Sequence, residues 1–165
     1  LAPIACVLWI TGEGEVFYKQ TRVGKNGSSF GLIKFATMLK DSPNIGSGTL
    51  TIQNDPRILP LGNFLRKTKI NELPQLFNVL KSEMSLVGPR PIVEEELEKY
   101  GLEKSYYLMV RPGMTGLWQV SGRNDVDYET RVYLDAWYVK NWSLWYDLAI
   151  LFKTIKVVFW RNGAY

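Results

Sequence analysis

The spacing of hydrophobic residues changes along the chain and separates extended from helical segments. Two β-type runs, 16–23 and 29–38, flank Gly24-Lys25-Asn26-Gly27, whose Asn-Gly step is a strong hairpin signal. Residues 1–10 are apolar throughout, but this segment is too short to cross a bilayer by itself. The pattern therefore predicts an apolar N-terminal segment followed by a β-hairpin.

Helical spacing dominates the rest of the chain. It predicts helices at 64–67, 69–81, 93–107, 127–138 and 143–161. The last of these is apolar around most of its circumference and has a basic edge of Lys153, Lys156 and Arg161, which is typical of a helix at a membrane interface. The expected fold class is α+β, mostly helical with a small N-terminal β-hairpin, in a single domain over residues 1–165.

The segment 69–81 is predicted to have two faces of different chemistry. Apolar side chains at helical spacing are expected to face the core: Ile70, Leu73, Phe77 and Leu80. Amide side chains are expected on a separate polar face: Asn71, Gln75 and Asn78. Because proline is tolerated only in the first turn of a helix, Pro74 places the expected helix start near Asn71, which has the chemistry of an N-cap.

Composition excludes several kinds of chemistry. The 165-residue chain has 20 Lys and Arg against 16 Asp and Glu, and its net charge of +4 suits an anionic partner such as a nucleotide or a phospholipid headgroup. It has no histidine, which excludes a Ser-His-Asp triad and a His-based zinc site within it. Its single cysteine excludes an internal disulfide. The basic residues are dispersed and match no nucleic-acid module, so nucleic acid is not an expected partner.

Aromatic residues crowd the C-terminal third of the chain. The tryptophans of this region are Trp137, Trp142, Trp145 and Trp160. Amphipathic aromatic side chains at this density suit a membrane–water interface. An aromatic core or an oligomer interface is the alternative, and a homodimer is one option for the oligomeric state.

The candidate chemistry centres on Asn71-Glu72, which places a carboxylate at the start of a predicted helix. Helix N-termini attract phosphate through their free N–H groups and dipole. Arginines next to Pro, Gly or a helix boundary are candidates for holding a diphosphate, because arginine binds phosphate oxygens bidentately: Arg66, Arg90, Arg111 and Arg123. A carboxylate in such a site also suits Mg²⁺, which bridges protein carboxylates and substrate phosphates.

Seven short segments carry a family resemblance when they are read together and in order. They are 16–24, 34–38, 55–57, 64–68, 72–80, 84–91 and 111–116. From about residue 16 to residue 165 the chain resembles the bacterial sugar transferases, which are monotopic polyprenyl-phosphate phosphoglycosyl transferases. The end of the chain, 161–165, resembles the branch that includes undecaprenyl-phosphate galactose phosphotransferases.

The resemblance implies a reaction and a location. A sugar-1-phosphate passes from a UDP-sugar to undecaprenyl phosphate, giving undecaprenyl-diphospho-sugar and UMP in the first membrane step of polysaccharide, O-antigen or capsule assembly. The family uses a covalent phosphosugar intermediate on the Asp of an Asp-Glu pair, with Mg²⁺. The implied location is the cytoplasmic face of the bacterial inner membrane, with 1–10 as the end of a re-entrant membrane helix.

The resemblance also implies roles for individual residues. Asn71 and Glu72 occupy the position of the Asp-Glu pair and are the catalytic and metal-binding candidates. The candidates for binding substrate phosphates are Lys34, Arg66, Arg90, Arg111 and Arg123, although a purely structural role for Arg111 stays open, as it does for Asp55. Because an amide cannot form an acyl-phosphate, either Glu72 is the nucleophile or the chain is a catalytically impaired member that binds a UDP-sugar or a lipid phosphate.

Overall fold

The computed structural model describes residues 2–11, 14–40, 55–122 and 126–159. The helices are α1 (Ala2–Thr11), α2 (Gly62–Lys67), α3 (Gln75–Leu80), α4 (Glu94–Leu97), α5 (Lys104–Met109), α6 (Leu117–Val120), α7 (Tyr128–Lys140) and α8 (Leu144–Phe159). The strands are β1 (Phe17–Val23), β2 (Ser29–Phe35), β3 (Ser85–Val87) and β4 (Gly113–Thr115). The chain is therefore mixed helix and strand with a small antiparallel hairpin, as predicted.

The described residues form two compact units that interleave along the sequence. The first unit comprises 2–11, 14–19, 33–40 and 55–74, and the second comprises 20–32, 75–122 and 126–159. Neither unit is a continuous stretch of chain, so the single catalytic domain stays a prediction.

The hairpin forms where the sequence predicted it. Its turn includes a 3₁₀ segment, Lys25–Gly27, in which Asn26 has a φ of 57° and Gly27 a φ of 74°. Consecutive residues with positive φ are what a tight hairpin turn requires, and Asn followed by Gly adopts them at low cost. This local signal is sufficient to fix the turn.

A small apolar core holds the first unit together. Leu8 from α1 packs with Phe35, Leu59 and Leu65, all of them buried. The opposite side of α1 leaves Trp9 65% exposed, together with the neighbouring Val7 and Ile10. The predicted apolar segment is therefore a helix with one packed and one open side, and its re-entrant course in a membrane stays a prediction.

The segment predicted as one helix at 69–81 is divided, and its faces are reversed. Lys69 has a φ of 59°, a 3₁₀ turn covers Ile70–Glu72, and α3 begins only after Pro74. The amide side chains are the buried ones: Asn71, Gln75 and Asn78. Most of the predicted core residues are exposed: Leu73 at 36%, Phe77 at 47% and Leu80 at 81%. Ile70 is partly buried against the first unit's core, and Asn71 lies inside the 3₁₀ turn rather than capping a helix.

Tertiary hydrogen bonds explain the reversal on α3. Asn78, fully buried, donates through Nδ2 to the Gly31 carbonyl oxygen at 2.8 Å and to Glu83 Oε2 at 2.6 Å. The backbone carbonyl oxygen of Asn78 accepts hydrogen bonds from the backbone N–H groups of Glu83 and Met84. A buried amide with these partners loses little by leaving water, so it occupies the inner face and the apolar side chains face outward.

The charged segment predicted as a helix at 93–107 is interrupted. It consists of α4, a 3₁₀ segment Glu98–Glu103, and α5, with Gly101 at a φ of 50°. The two C-terminal helices are confirmed as α7 and α8. Asp127 caps α7 by accepting a hydrogen bond from the Thr130 backbone at 2.7 Å.

Glycines at 88, 113 and 116 are required by backbone contact. Strands β3 and β4 are parallel and pair Ser85 with Gly113 and Val87 with Thr115. A Cβ on Gly113 would lie 2.1 Å from the Gly88 nitrogen, and one on Gly116 would lie 2.3 Å from the Gly88 carbonyl oxygen. Residues 113–115 therefore form a strand, and the glycines allow its partner strand to approach closely.

Helix α8 packs on these two strands, where Thr154 and Thr115 hydroxyls lie 2.8 Å apart. Its other side is largely exposed, with Trp145 at 79% and Phe152 at 72%. No helix within the described residues has the length and apolar character needed to cross a membrane.

Candidate active site

Four of the residues predicted for the site lie in the first unit. Lys34 is on β2, Arg66 is in the last turn of α2, and Asn71 and Glu72 are in the 3₁₀ turn that follows. Helix α2 packs against that turn. Arg66 and the Asn71-Glu72 pair therefore lie on neighbouring elements of this unit, and their joint role in binding phosphate stays a prediction.

Arg66 is held by neutral groups. Its Nε donates to Thr37 Oγ1 at 3.1 Å and its Nη2 lies 3.4 Å from the Met38 sulfur. Burial lowers the pKa of the Arg66 guanidinium, and the nearby Asp55 carboxylate opposes this. Arginine stays charged under these conditions. A half-buried cation whose hydrogen bonds go to a hydroxyl and a thioether is well suited to receive a phosphate oxygen.

Asp55 and Arg57 form a buried pair beside Arg66. Arg57 Nε donates to Asp55 Oδ1 at 2.8 Å and Nη2 donates to Oδ2 at 2.6 Å, while the Arg57 backbone N–H donates to Oδ1 at 3.0 Å. Both residues are less than 5% exposed. The hydrogen bond to Asp55 raises the pKa of Arg57, so the pair is ionised and internally neutralised. Asp55 thus has a structural role, which is the possibility that the sequence analysis left open for this residue.

The Asn71-Glu72 pair combines a buried amide with a more accessible carboxylate. Asn71 is 8% exposed, and its Oδ1 is buried without a hydrogen-bond partner among the described residues. Glu72 Oε1 lies 3.9 Å from Lys69 Nζ, and the Glu72 side chain is 26% exposed. A buried amide oxygen with no donor is costly, which is a reason to expect a ligand atom there.

The oxygen ligands at this turn are sufficient for Mg²⁺ only if a substrate supplies further oxygen ligands. Magnesium is bound by one or two protein carboxylates and completes its shell with phosphates and water. Glu72 offers one carboxylate and Asn71 one unsatisfied oxygen. The described part of the chain has no group of three or more acidic, Cys or His residues arranged so that it could hold a metal ion. The two residues can therefore hold a metal that also takes substrate oxygens.

Arg90, another predicted phosphate ligand, lies in the second unit and is exposed. Its guanidinium carbon is 5.8 Å from the Trp118 ring centroid, and that of Arg131 is 4.8 Å from the same centroid. Behind them Asp135 is 2% exposed and accepts a 2.9 Å hydrogen bond from the Tyr100 hydroxyl. Burial raises the pKa of the Asp135 carboxyl to about 7, with Tyr100 and Arg90 opposing the shift. Sequence reasoning missed Asp135 and Arg131, since neither belongs to a short motif.

Arg111 lines a cleft of about 330 Å³ in the second unit. Lys25, at the hairpin turn, lines the same cleft, and so do Met109 and Trp142. Sequence reasoning missed Lys25, which appears there only as a turn residue. Arg123 lies outside the described residues. The predicted convergence of all five cations on one diphosphate stays a prediction, because Lys34 and Arg66 belong to one unit and Arg90 and Arg111 to the other.

Comparison with known proteins gives this arrangement a family. The model of the bacterial sugar transferase family matches residues 1–161, so the chain belongs to that family. This membership confirms the resemblance seen in the sequence motifs.

Particular relatives extend the comparison. The chain is 54% identical to an undecaprenyl-phosphate galactose phosphotransferase of Salmonella typhimurium, over 99% of this chain and 38% of the relative. It is 55% identical to a UDP-galactose-lipid carrier transferase of Erwinia amylovora, over 92% of this chain and 35% of the relative. It is 40% identical to the UDP-glucose:undecaprenyl-phosphate glucose-1-phosphate transferase of Escherichia coli, over the whole chain and 37% of the relative. The chain thus spans little more than a third of these relatives.

Proposed function

We propose that the protein is a phosphoglycosyl transferase that moves a sugar-1-phosphate from a UDP-sugar to undecaprenyl phosphate and releases UMP. The observation that carries this is the 54% identity, along nearly the whole chain, to a relative named for phosphotransfer to that lipid. The half-buried Arg66 supports it as a donor to phosphate oxygens. The unsatisfied Asn71 oxygen supports it as an acceptor that a metal ion or a substrate hydroxyl would satisfy.

The chemistry assigns different roles to Asn71 and Glu72. An amide is not a nucleophile at phosphorus, so the Glu72 carboxylate attacks the phosphorus that bears the sugar. The bond from that phosphorus to the bridging oxygen breaks, and UMP leaves with the electron pair. A phosphate oxygen of undecaprenyl phosphate then attacks the same phosphorus, which restores the carboxylate and gives the diphosphate-linked sugar.

Cations and a metal would stabilise this transfer. Arg66 and Lys34 neutralise charge on the phosphates, and Arg90 is assigned to the same task. Mg²⁺, held by Glu72 and Asn71 together with substrate oxygens, would supply further positive charge to the phosphate of the leaving UMP.

The lipid substrate requires a membrane-facing surface, and α8 supplies a suitable one. Its exposed side chains are Leu144, Trp145, Leu148, Phe152 and Ile155. Lys153 and Lys156, also exposed, give it cationic groups that attract anionic headgroups. We assign this surface to the cytoplasmic face of the bacterial inner membrane, where polysaccharide, O-antigen or capsule assembly begins.

The test is UMP release from a panel of UDP-sugars with undecaprenyl phosphate. Glu72→Gln is expected to lower turnover by about a thousandfold or more, since it removes the nucleophile. Glu94→Gln, an exposed carboxylate on α4, is the matched control and is expected to keep full activity. A phosphosugar adduct on the peptide containing Glu72, detected by mass spectrometry, would identify the nucleophile. Equal activity of Glu72→Gln and the unaltered chain contradicts the assignment.

A second candidate function is ligand binding without turnover, which the amide at position 71 favours. In that case Asn71→Asp, which provides a second carboxylate, raises UMP release by orders of magnitude from a near-zero level. If Glu72 is the nucleophile, Asn71→Asp changes turnover little. The two functions are therefore distinguished by one substitution.

A further inference from the structure

The cleft beside β3 combines cationic and apolar groups in the second unit. Its wall includes Ser85 and Val87 of β3, Tyr138 of α7 and Asp147 of α8. Its volume of about 330 Å³ lies at the lower end of the range for small-ligand sites, about 300–1,000 Å³. A space of this size takes a headgroup more readily than a whole nucleotide sugar.

The two cations of the cleft have no partner in the described chain. Neither the Lys25 nor the Arg111 side chain makes an ion pair or a hydrogen bond to a described residue. Both side chains are exposed and line the same cleft, so an anion bound there can accept charge-assisted hydrogen bonds from them. The cleft is therefore suited to a negatively charged group.

The one carboxylate of the cleft is already engaged. Asp147 accepts from the Tyr138 hydroxyl at 2.7 Å through Oδ1 and from Trp142 Nε1 at 3.2 Å through Oδ2. The Tyr138 hydroxyl also lies 3.4 Å from the Val87 carbonyl oxygen. These bonds hold the carboxylate against the aromatic side chains and leave Lys25 and Arg111 to an external ligand.

The apolar part of the cleft indicates where that ligand comes from. Met109 is 60% exposed and Trp142 is 61% exposed, and both line the cleft. Trp142 is followed directly by the exposed Leu144 and Trp145 at the start of α8. Tryptophan with a polar tip and an apolar body is typical of the membrane–water boundary. A soluble anion does not need an apolar rim beside its binding site. A lipid does, because its phosphate would lie at the two cations and its chains would lie against Met109 and Trp142.

We propose that Lys25 and Arg111 bind the phosphate group of a membrane lipid, with Met109 and Trp142 against its chains. This rests on the membrane association proposed above. Two lipids share the chemistry, a bulk anionic phospholipid and the polyprenyl phosphate itself. In the first case the cleft anchors the protein to the bilayer, and in the second it holds the acceptor substrate.

The methionine methyl groups offer a direct readout, since the chain has only four methionines. With ¹³C-methyl methionine and the protein in a neutral maltoside detergent, the Met109 signal reports on the cleft. The buried Met84 is the internal control for folding. The added ligands are phosphatidylglycerol, diacylglycerol with the same chains, undecaprenyl phosphate, inorganic phosphate and UMP. No UDP-sugar is present, so the result is independent of turnover.

We expect the Met109 signal to shift with a lipid phosphate and not with diacylglycerol. Lys25→Gln with Arg111→Gln should raise the half-saturating lipid concentration by about tenfold or more, because charge-assisted hydrogen bonds are lost. Lys81→Gln, which removes one exposed charge outside both the cleft and α8, is the matched control and should change it less than about twofold.

The outcomes separate the alternatives. A response to phosphatidylglycerol alone supports a bilayer anchor, and a stronger response to undecaprenyl phosphate supports an acceptor site. An equal response to inorganic phosphate or UMP overturns the lipid assignment. So does the absence of any Met109 shift, or a double variant that responds like the unaltered chain while its Met84 signal shows it to be folded.

Discussion

Among the described residues, each unit of the protein buries one aspartate almost completely, and the two are stabilised in opposite ways. Asp55, in the first unit, is bonded twice by the guanidinium of Arg57. Asp135, in the second, has a hydrogen bond from the neutral Tyr100 hydroxyl and only a longer-range attraction to Arg90. The first is an ionised pair, while burial raises the pKa of the second to about 7.

The difference shows that burial alone does not determine the charge of a carboxyl group. A directly bonded cation offsets the loss of hydration, whereas one hydroxyl offsets only part of it. The first unit therefore carries an ion pair near Arg66, and the second unit carries a titratable carboxyl group that Arg90 attracts. The following substitutions test that contrast, beginning with the largest expected effect.

Arg57→Met should destabilise the fold by about 3–5 kcal/mol, because it leaves the buried Asp55 carboxylate without its cation. Urea unfolding at pH 8 measures the loss. The double variant with Asp55→Asn also removes the charge of the carboxylate and keeps a side-chain oxygen for the Arg57 backbone N–H. It should therefore recover most of the lost stability. If the single variant is as stable as the unaltered chain, the pair is not the ionised contact described.

The second prediction concerns the dependence of stability on pH. An unfolded Asp titrates near 3.9, and the folded pKa of Asp135 is about 7, so the folded state binds the proton more tightly. The contribution of Asp135 to the free energy of unfolding should be greatest at low pH, decline by about 4 kcal/mol between about pH 4 and 7, and stay constant above.

Asp135→Asn should remove this decline, which urea unfolding at pH 5 and pH 8 would reveal. Asp127→Asn is the control, since the Asp127 carboxyl is exposed and its hydrogen bond to Thr130 lowers its pKa. It should leave the decline of the unaltered chain in place. A decline that persists in Asp135→Asn would assign it to another group.

Tyr100→Phe should raise the pKa of Asp135 further, since the hydroxyl favours the ionised form. The loss of the buried hydrogen bond should cost about 1–3 kcal/mol. The titration of the Asp135 carboxyl carbon by NMR measures the shift. Tyr107→Phe removes a different buried hydroxyl, which donates to the Val23 carbonyl oxygen at 2.8 Å, and should leave the Asp135 pKa nearly unchanged.

The smallest effect is expected from Arg90→Gln. Removing this exposed cation should raise the pKa of Asp135 slightly, by less than about one unit, and change stability by less than about 1 kcal/mol. The same NMR titration detects it. Lys99→Gln, an exposed cation near Tyr128, is a control of equal charge change and should produce a smaller shift. A lowered Asp135 pKa in Arg90→Gln would contradict the assigned attraction.

Local signals predicted the parts of the fold that depend on neighbours in sequence. The hairpin follows from Asn26-Gly27, because these residues accept the positive φ that the turn needs. Helix α7 begins where Asp127 caps it, one residue after the predicted start. The Asn71-Glu72 pair and Arg66 were candidates from sequence, and they lie on neighbouring elements because they are close along the chain, while their roles stay predictions.

Long-range contacts account for what the sequence did not predict. The faces of α3 are reversed because Asn78 finds a buried partner at Gly31, 47 positions away. Strand β4 was not predicted, because its partner β3 lies beyond the intervening helices α4 and α5. Lys25 and Arg111 line one cleft although 86 positions separate them. The spacing of residues in a single sequence does not predict proximity between positions so far apart.

The contact among Gly88, Gly113 and Gly116 has a consequence for how this protein can be redesigned. The two strands meet so closely that neither can move away from the other without losing this contact. Residues 94–109 between them cannot be exchanged freely, because Tyr100 and Tyr107 belong to the buried core. A protein engineer should therefore keep the three glycines and confine changes to exposed positions of that connection, such as Leu102. Adding a single methyl group at position 113 should do more harm than exchanging those exposed residues.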